Sequence, residues 1–426
     1  MNQSLRRVAI VGSIRIPFCR SNGAYQDLSN KDMLAHTLQA LSTRLGLAGQ
    51  HIDEVAGGAV TTHAADWNLT REALLDTDLA PETPGITLQQ ACGTSLQAAM
   101  LLGAKIASGQ IETASACGSD TTSDVPIVFS QRFARRLSAL SRARNLKTRL
   151  GAFKGMSLGE LKPLPPSPQE PRTKLSMGQH CELMAKQWQI PRVDQDALAL
   201  ASHHKAAAAY ERGFFDDLVA PCEGVARDNN IRTDASLESL AALRNAFDPG
   251  ENGTLTAGNS TTLTDGAAAV MLASEFWAEK HGLPVLAYLT HSRTAAVDFV
   301  SGEGLLMAPT VAVSEMLDAA GLDLQSFDFY EIHEAFAAQV LCTLKAWESE
   351  NYCRDRLGRA QALGAIDPDK MNVVGSSLAV GHPFAATGAR ILGVLAKLLA
   401  EQGQGRGLIS VCTAGGMGVS AILERP

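Results

Sequence analysis

The sequence is poor in aromatic side chains, at 5% of 426 residues, and has no apolar run of 18 residues. The missing run argues against a membrane-spanning helix. A net charge of −7 argues against a general nucleic-acid binder. A strand-like run begins at Val8, which leaves no room for a secretory signal, so a cytoplasmic location is expected. The length suggests two or three domains, or one duplicated domain.

Disulfide and zinc-binding patterns are also missing. The eight cysteines are scattered and none forms a Cys-x-x-Cys pair, which suits inert or catalytic thiols in a reducing compartment. His333-Glu334 resembles the start of a zinc-protease motif, but Ala337 stands where the second histidine would be needed. We therefore predict no metal site.

Strand-like runs alternate with helices rich in small residues, which predicts an α/β fold with βαβ units around a mostly parallel sheet. A weak repeat relates the two ends of the chain at an offset of about 275 to 295 residues. We interpret the repeat as two halves of one ancestral unit, with chance similarity between βαβ segments as the alternative. Residues 1–124 and 248–278 are assigned to an N-terminal half, 125–247 to an inserted loop domain, and 279–426 to a C-terminal half.

Within the insertion, residues 125–159 contain eight Lys or Arg residues and no Asp or Glu. Phe129, Phe133, Leu137 and Leu140 recur at helical spacing, which predicts a basic amphipathic helix. Three interpretations stay open: a solvated charged face, a cradle for phosphates, or a surface that docks to an anionic membrane or a partner subunit.

Three residues are candidates for chemistry. Cys92 follows a predicted strand and precedes a helix, where the helix dipole is expected to lower the pKa of the thiol. His382 lies among glycines before the equivalent helix of the second half. Cys412 enters a glycine-rich turn whose N–H groups suit an oxyanion hole. Taken singly, each residue is more often structural than catalytic.

Four motifs together resemble, in order, the catalytic motifs of the thiolase family. They are Ala-Cys-Gly-Thr-Ser at 91–95, His-Glu-Ala-Phe-Ala at 333–337, Gly-His-Pro-Phe-Ala-Ala-Thr-Gly at 381–388 and Cys-Thr-Ala-Gly-Gly-Met-Gly at 412–418. Segments 177–188 and 257–269 resemble the family's loop-domain and pantetheine-contacting segments. His333 stands where many members carry Asn, and Ala414 where others carry Gly. These variants, with the basic insertion, resemble the thiolase subunit of the fatty-acid trifunctional enzyme.

The resemblance implies duplicated βαβαβαββ halves in a five-layer αβαβα core, and thiolytic cleavage of 3-ketoacyl-CoA through an acyl-cysteine. It implies Cys92, His382, Cys412 and His333 as catalytic residues and the N–H groups of Cys92 and Ala414 as oxyanion hole. The implied substrate and CoA contacts are Met177, Ala257, Ser260, Thr261, Phe336 and Phe384. Coenzyme A is a co-substrate, and no permanent cofactor is expected. A homodimer or homotetramer and a hydratase/dehydrogenase partner subunit are implied as well.

Three other functions remain as alternatives. A decarboxylating ketoacyl synthase has the same duplicated fold but would need a histidine in place of Cys412. A catalytically silent lipid carrier would be expected to lose Cys92, His382 or Cys412, and this chain keeps all three. The synthetic acetoacetyl-CoA thiolase is the strongest competitor, and the subgroup resemblance favours degradative cleavage over it.

Overall fold

The computed structural model describes residues 5–426 and contains one mixed sheet of ten strands. The strands are β1 (Val8–Arg15), β2 (Cys19–Arg20), β3 (Glu54–Gly57), β4 (Gly85–Thr87), β5 (Thr113–Asp120), β6 (Thr264–Ser274), β7 (Ala287–Ala296), β8 (Phe329–Ile332), β9 (Gly405–Thr413) and β10 (Met417–Arg425). Their order is β4-β3-β5-β6-β1-β7-β10-β9-β8, with β2 paired to β6. The predicted α/β class is confirmed.

Fourteen α-helices occur in this described part of the chain. They are α1 (Asn30–Leu45), α2 (Leu69–Leu75), α3 (Thr94–Ala107), α4 (Gln131–Arg142), α5 (Leu146–Gly151), α6 (Met177–Gln187), α7 (Arg192–Glu211), α8 (Leu237–Ala241), α9 (Glu275–Lys280), α10 (Ala308–Ala320), α11 (Ala337–Glu348), α12 (Glu350–Asp355), α13 (Ser377–Val380) and α14 (Thr387–Gln402). None of them is long and apolar enough to cross a membrane.

Apart from the outermost strand β4 and the short β2, the strand order is symmetric about the junction of β1 and β7. Outward from β1 come β6, β5 and β3, and outward from β7 come β10, β9 and β8. The pairing directions match as well: the first two steps are antiparallel on each side, and the outer pairs β3–β5 and β8–β9 are both parallel. The β1–β7 junction itself has only two residue pairs, Ala9–Tyr288 and Ile10–Ala287. The two halves of the sequence repeat therefore share the same strand order and the same pairing directions.

Helices α3 and α14 pack against each other between the two half-sheets. A Cβ atom on Gly388 in α14 would stand 2.4 Å from the backbone nitrogen of Leu96 in α3, so only glycine permits this approach. The outer faces are covered by α1 and α2 in one half and by α10 and α11 in the other, where α11 packs in one apolar cluster with residues of β8, β9 and β10. This gives the predicted five layers, αβαβα.

The segment between β5 and β6 divides into two regions. Helices α6 and α7 pack on α11 and α13 of the C-terminal region. Helices α4 and α5, in contrast, contain no buried residue. The amphipathic helix predicted in the basic stretch is present as α4, while the exact domain boundaries stay a prediction.

Candidate active site

Cys92 lies in a tight turn that begins helix α3. The preceding Ala91 has a φ of 46°, in the left-handed region that costs a residue with a side chain of the order of 1 kcal/mol or more. Thr94 stabilises the turn, since its hydroxyl donates to the Ala91 carbonyl at 2.7 Å. On the other side, a Cβ on Gly93 would stand 2.9 Å from the Thr413 side chain, so the turn lies directly against the end of β9. Local strain and close packing thus fix the position of the thiol.

His382 lies in the loop before α14, and residues of the first half hold this loop. The Asp120 carboxylate accepts from the Ala385 backbone N–H at 2.8 Å. The Ser95 hydroxyl, on α3, donates to the Ala385 carbonyl at 2.5 Å. Gly381, with a φ of 100°, supplies the turn immediately before the histidine. His382 therefore precedes the short 3-10 turn at 384–386, whereas Cys92 is inside its own turn.

The structure brings Cys92 and His382 into direct contact. His382 Nε2 is 3.1 Å from Cys92 Sγ, and His382 Nδ1 is 2.5 Å from the Thr387 hydroxyl. Both side chains are buried. With the proton on Nδ1 donated to Thr387, Nε2 is free to accept the proton of the thiol, which is the arrangement of a nucleophile with its base.

The expectation that the helix start lowers the pKa of Cys92 is wrong. Burial, together with the negative charge of Asp120, raises the pKa of Cys92 to about 12, although N–H groups of Ala414 and Cys92 act in the opposite direction. Burial likewise lowers the pKa of His382 to about 3, assisted by the positive charge of Arg390. Desolvation of a charge outweighs the helix dipole here because the site is closed to solvent. The resting pair is a neutral thiol and a neutral imidazole.

Cys412 is the next-to-last residue of β9, the strand that packs against the turn holding Cys92. It is buried, and burial followed by the nearby Cys92 thiol raises its pKa well above the usual value. The backbone of Ala414, two residues later, lies close enough to Cys92 to oppose the rise in the pKa of that thiol.

His333 follows strand β8 and completes a cluster with the other two side chains. Its ring centroid is 4.2 Å from that of His382. One donor atom from each of Cys92, His333 and His382 lies within 4.8 Å of the others. Two imidazoles and a thiol are chemically suited to zinc, but the sulfur and one nitrogen already contact each other at 3.1 Å. The absence of a metal stays a prediction.

The six predicted substrate contacts lie in different surroundings. Met177 and Phe336 pack in one apolar cluster with Cys412, while Phe384 packs beside His382 with ring centroids 5.3 Å apart. Ser260 is buried, and its hydroxyl has no partner among the described residues. Thr261 is half-buried and bonded to the Ala335 carbonyl, and Ala257 is exposed.

Several residues that position the catalytic histidines were not predicted from the sequence. Asp120, Ser95 and Thr387 orient His382, and Ser377 and Arg390 contact the neighbourhood of His333. Thr387 and Arg390 stand in or beside the histidine motif, so its polar residues were the available signal. Asp120 carried no such signal, because only the fold brings the end of β5 to Ala385.

The fold and site define a class of protein: a duplicated α/β protein that places a cysteine–histidine pair and a second cysteine between its halves. Profiles described as "Thiolase, N-terminal domain" and "Thiolase, C-terminal domain" match residues 8–276 and 283–425. The chain belongs to the thiolase family.

Named relatives and a solved structure agree with this family. The chain is 41% identical to a 3-ketoacyl-CoA thiolase of Yersinia enterocolitica, over 98% of this chain and 97% of that protein. It is 40% identical to the 3-ketoacyl-CoA thiolase of Yersinia pestis over the same shares. The crystal structure of the Bacillus anthracis acetyl-CoA acetyltransferase superimposes with a TM-score of 0.81 at 29% identity, covering 99% of both chains.

Proposed function

We propose that this protein is an acetyl-CoA C-acyltransferase that cleaves 3-ketoacyl-CoA with CoA, giving acetyl-CoA and a shortened acyl-CoA. The observation that carries the proposal is the 3.1 Å contact between Cys92 Sγ and His382 Nε2 beside the Cys412 turn. The names of the relatives in Yersinia support the same reaction.

In the first half-reaction, His382 Nε2 takes the thiol proton as Cys92 Sγ bonds to the 3-keto carbon of the substrate. The carbonyl electrons move to oxygen, which accepts from the N–H groups of Cys92 and Ala414. The oxyanion collapses and the bond between C2 and C3 breaks, so that the electron pair becomes the enolate of acetyl-CoA. The enolate oxygen is held by His382 and His333. Cys412 then gives its proton to C2, and acetyl-CoA leaves.

In the second half-reaction, the Cys412 thiolate takes the proton of incoming CoA. The CoA sulfur attacks the acyl carbon, and the bond from that carbon to Cys92 Sγ breaks. Cys92 leaves and recovers its proton from His382. Since the resting thiol of Cys92 and the imidazole of His382 are both neutral, proton transfer accompanies the attack of Cys92 in the first half-reaction. The thiol of Cys412 suits a proton-carrying role, because it gives in one half-reaction and takes in the other.

Substrate and CoA are proposed to lie along the six residues named above. Met177, Phe336 and Phe384 would offer apolar surface near the reacting carbons, as their packing with Cys412 and His382 suggests. The unpartnered hydroxyl of Ser260 would donate to a polar group of the pantetheine arm, with Ala257 and Thr261 beside it. Coenzyme A is consumed as a substrate, with no resident cofactor in the scheme.

The direction of the reaction separates this function from its alternatives. We favour degradative cleavage of longer chains in fatty-acid β-oxidation over acetoacetyl-CoA synthesis, since the two Yersinia relatives, at 41% and 40% identity, are named 3-ketoacyl-CoA thiolases. The test measures thiolysis and condensation by the purified enzyme on substrates of increasing chain length. Faster thiolysis of medium or long chains supports the proposal. Activity on acetoacetyl-CoA alone would favour the synthetic enzyme, and no turnover at all would favour the silent carrier.

The basic segment 125–159 is proposed to contact an anionic membrane or a hydratase/dehydrogenase partner subunit. Several of its apolar side chains face solvent, with Leu146, Leu150 and Leu158 exposed by 71%, 67% and 85%. Basic and apolar groups on one exposed surface suit peripheral binding. Co-sedimentation with anionic vesicles at low and moderate salt tests the membrane version. Pelleting that salt weakens supports it, and its absence at both salt concentrations rejects it.

A cytoplasmic homodimer or homotetramer that binds no nucleic acid completes the proposal. The eight cysteines are all free thiols, which suits a reducing compartment. Light scattering on the purified protein would give the number of subunits.

A further inference from the structure

The imidazole of His333 has one nitrogen in a hydrogen bond and one without a partner. His333 Nδ1 is 2.8 Å from the Ser377 hydroxyl oxygen. Its Nε2 is buried, has no partner among the described residues and lies beside His382. What Nε2 offers a substrate depends on the tautomer, because a neutral imidazole has one donor nitrogen and one acceptor nitrogen.

The tautomer follows from the bonds of Ser377. Arg390 Nη2 donates to the Ser377 hydroxyl oxygen at 2.8 Å, and a guanidinium can only donate. Ser377 is fully buried, and within residues 5–426 its hydroxyl contacts only Arg390 and His333. The hydroxyl hydrogen therefore has one acceptor, His333 Nδ1. The opposite tautomer would leave that hydrogen buried without a partner, which is unfavourable.

We propose that Arg390 and Ser377 are positioning residues that hold His333 as the tautomer with its hydrogen on Nε2. His333 then presents a neutral N–H donor to the pocket. The catalytic use of this donor, to hold the enolate oxygen, rests on the proposed thiolase function. The tautomer itself is a property of the free enzyme.

Burial and charge around the relay formed by Arg390, Ser377 and His333 keep His333 neutral and Arg390 cationic. Burial, with the adjacent imidazole of His382 and the positive charge of Arg390, lowers the pKa of His333 well below its usual value, so the ring stays neutral. Burial lowers the pKa of Arg390 to about 10, which leaves it cationic at neutral pH. Its Nη1 lies 3.9 Å from the buried carboxyl group of Glu331, whose pKa burial raises to about 8. Arg390 therefore remains a donor to Ser377 under working conditions.

This relay explains how a histidine can stand where many thiolases carry Asn. The amide of Asn always offers N–H donors, whereas a histidine does so at a given nitrogen only in one tautomer. With the hydrogen on Nδ1, His333 would direct a lone pair at the developing negative charge. Ser377 and Arg390 remove that possibility.

The direct test is nitrogen NMR of the ring nitrogens in purified full-length protein labelled at histidine, without substrate. Comparison with His333→Gln assigns the His333 signals. We expect His333 Nδ1 to be unprotonated and Nε2 to carry the hydrogen. A protonated Nδ1 in the wild-type protein overturns the proposal, whatever the activity.

Substitution tests the roles of Ser377 and its neighbour Ser376. Ser377→Ala is expected to mix the tautomers and lower kcat about 10- to 100-fold, as loss of an orienting partner typically does, with little change in KM. Ser377→Thr keeps the hydroxyl and should restore both the tautomer and most of the activity. Ser376→Ala is the matched control, because Ser376 also accepts from Arg390, at 3.1 Å, but does not contact His333. It should retain the Nε2–H tautomer.

The outcomes separate this proposal from the proposed function. An Nε2–H tautomer in a protein without thiolase activity would overturn the function and leave the relay standing. Thiolase activity with unchanged tautomer and kcat in Ser377→Ala would overturn the relay and leave the function standing. If Ser377→Ala does not fold, the wild-type spectrum and the Ser377→Thr variant still decide.

Discussion

Helices α3 and α14 hold equivalent places in the two halves, yet they present different chemistry. Helix α3 begins with a turn that contains a thiol, and α14 follows a loop that carries an imidazole. The strand ends differ in the same way. Strand β5 ends at Asp120, which holds the histidine loop, while β9 ends just after Cys412. The two halves thus bring equivalent helix starts together. The first half provides the nucleophile there, and the second half provides its base.

Removing the nucleophile of the first half should have the largest effect. We expect Cys92→Ala to abolish thiolysis, because no other group can form the acyl-enzyme. Loss of the 3-ketoacyl-CoA enolate absorbance measures this. Cys117→Ala is the control, since Cys117 is equally buried in β5 but outside the site, and it should retain turnover. Near-normal turnover by Cys92→Ala would refute the assignment of the nucleophile.

Removing the imidazole of His382, in the second half, should lower activity strongly without abolishing it. We expect the kcat of His382→Ala to be at least about 100- to 1000-fold lower than that of the wild type, the usual cost of losing one donor to a transition-state oxyanion. The fold should survive, because the loop is also held through Ala385. Circular dichroism alongside the thiolysis assay checks both points, and a loss under tenfold would contradict the role of His382.

The orienting hydroxyl of the second half should matter less than the imidazole it holds. Thr387→Val removes the bond to His382 Nδ1 while keeping the shape of the side chain. We expect a fall of about 10- to 100-fold in kcat with little change in KM, the typical effect of losing an orienting partner. Thr387→Ser keeps the hydroxyl and should recover most of the activity. A similar loss in both variants would show that packing, and not the hydrogen bond, is responsible.

The second half should also make the protein sensitive to acid. The folded pKa of His382 is lowered to about 3, so the folded protein disfavours protonation and the unfolded chain does not. This stabilisation is complete above the unfolded pKa near 6.5 and is lost progressively as the pH falls towards 3. At pH 5 the loss is about 2 kcal/mol. Urea unfolding at pH 7 and pH 5 should show a correspondingly smaller loss in His382→Asn, and an equal loss would contradict the assignment.

Residue types and their order along the chain determined much of this protein. The alternation of strands and helices predicted the α/β layers, and the repeat predicted two equivalent halves. The motifs around Cys92, His333, His382 and Cys412 indicated the family, because four ordered motifs are unlikely to coincide by chance.

Only the tertiary structure decided the electrostatics of the site. The helix start at Cys92 predicted a lowered pKa, but burial reversed the sign of the shift, and burial depends on layers contributed by distant parts of the chain. Asp120 became a support for the histidine loop only because β5 and that loop meet at Ala385, 265 residues away. A local pattern can specify a turn or a helix, whereas solvent exclusion and long-range hydrogen bonds exist only once the halves have packed.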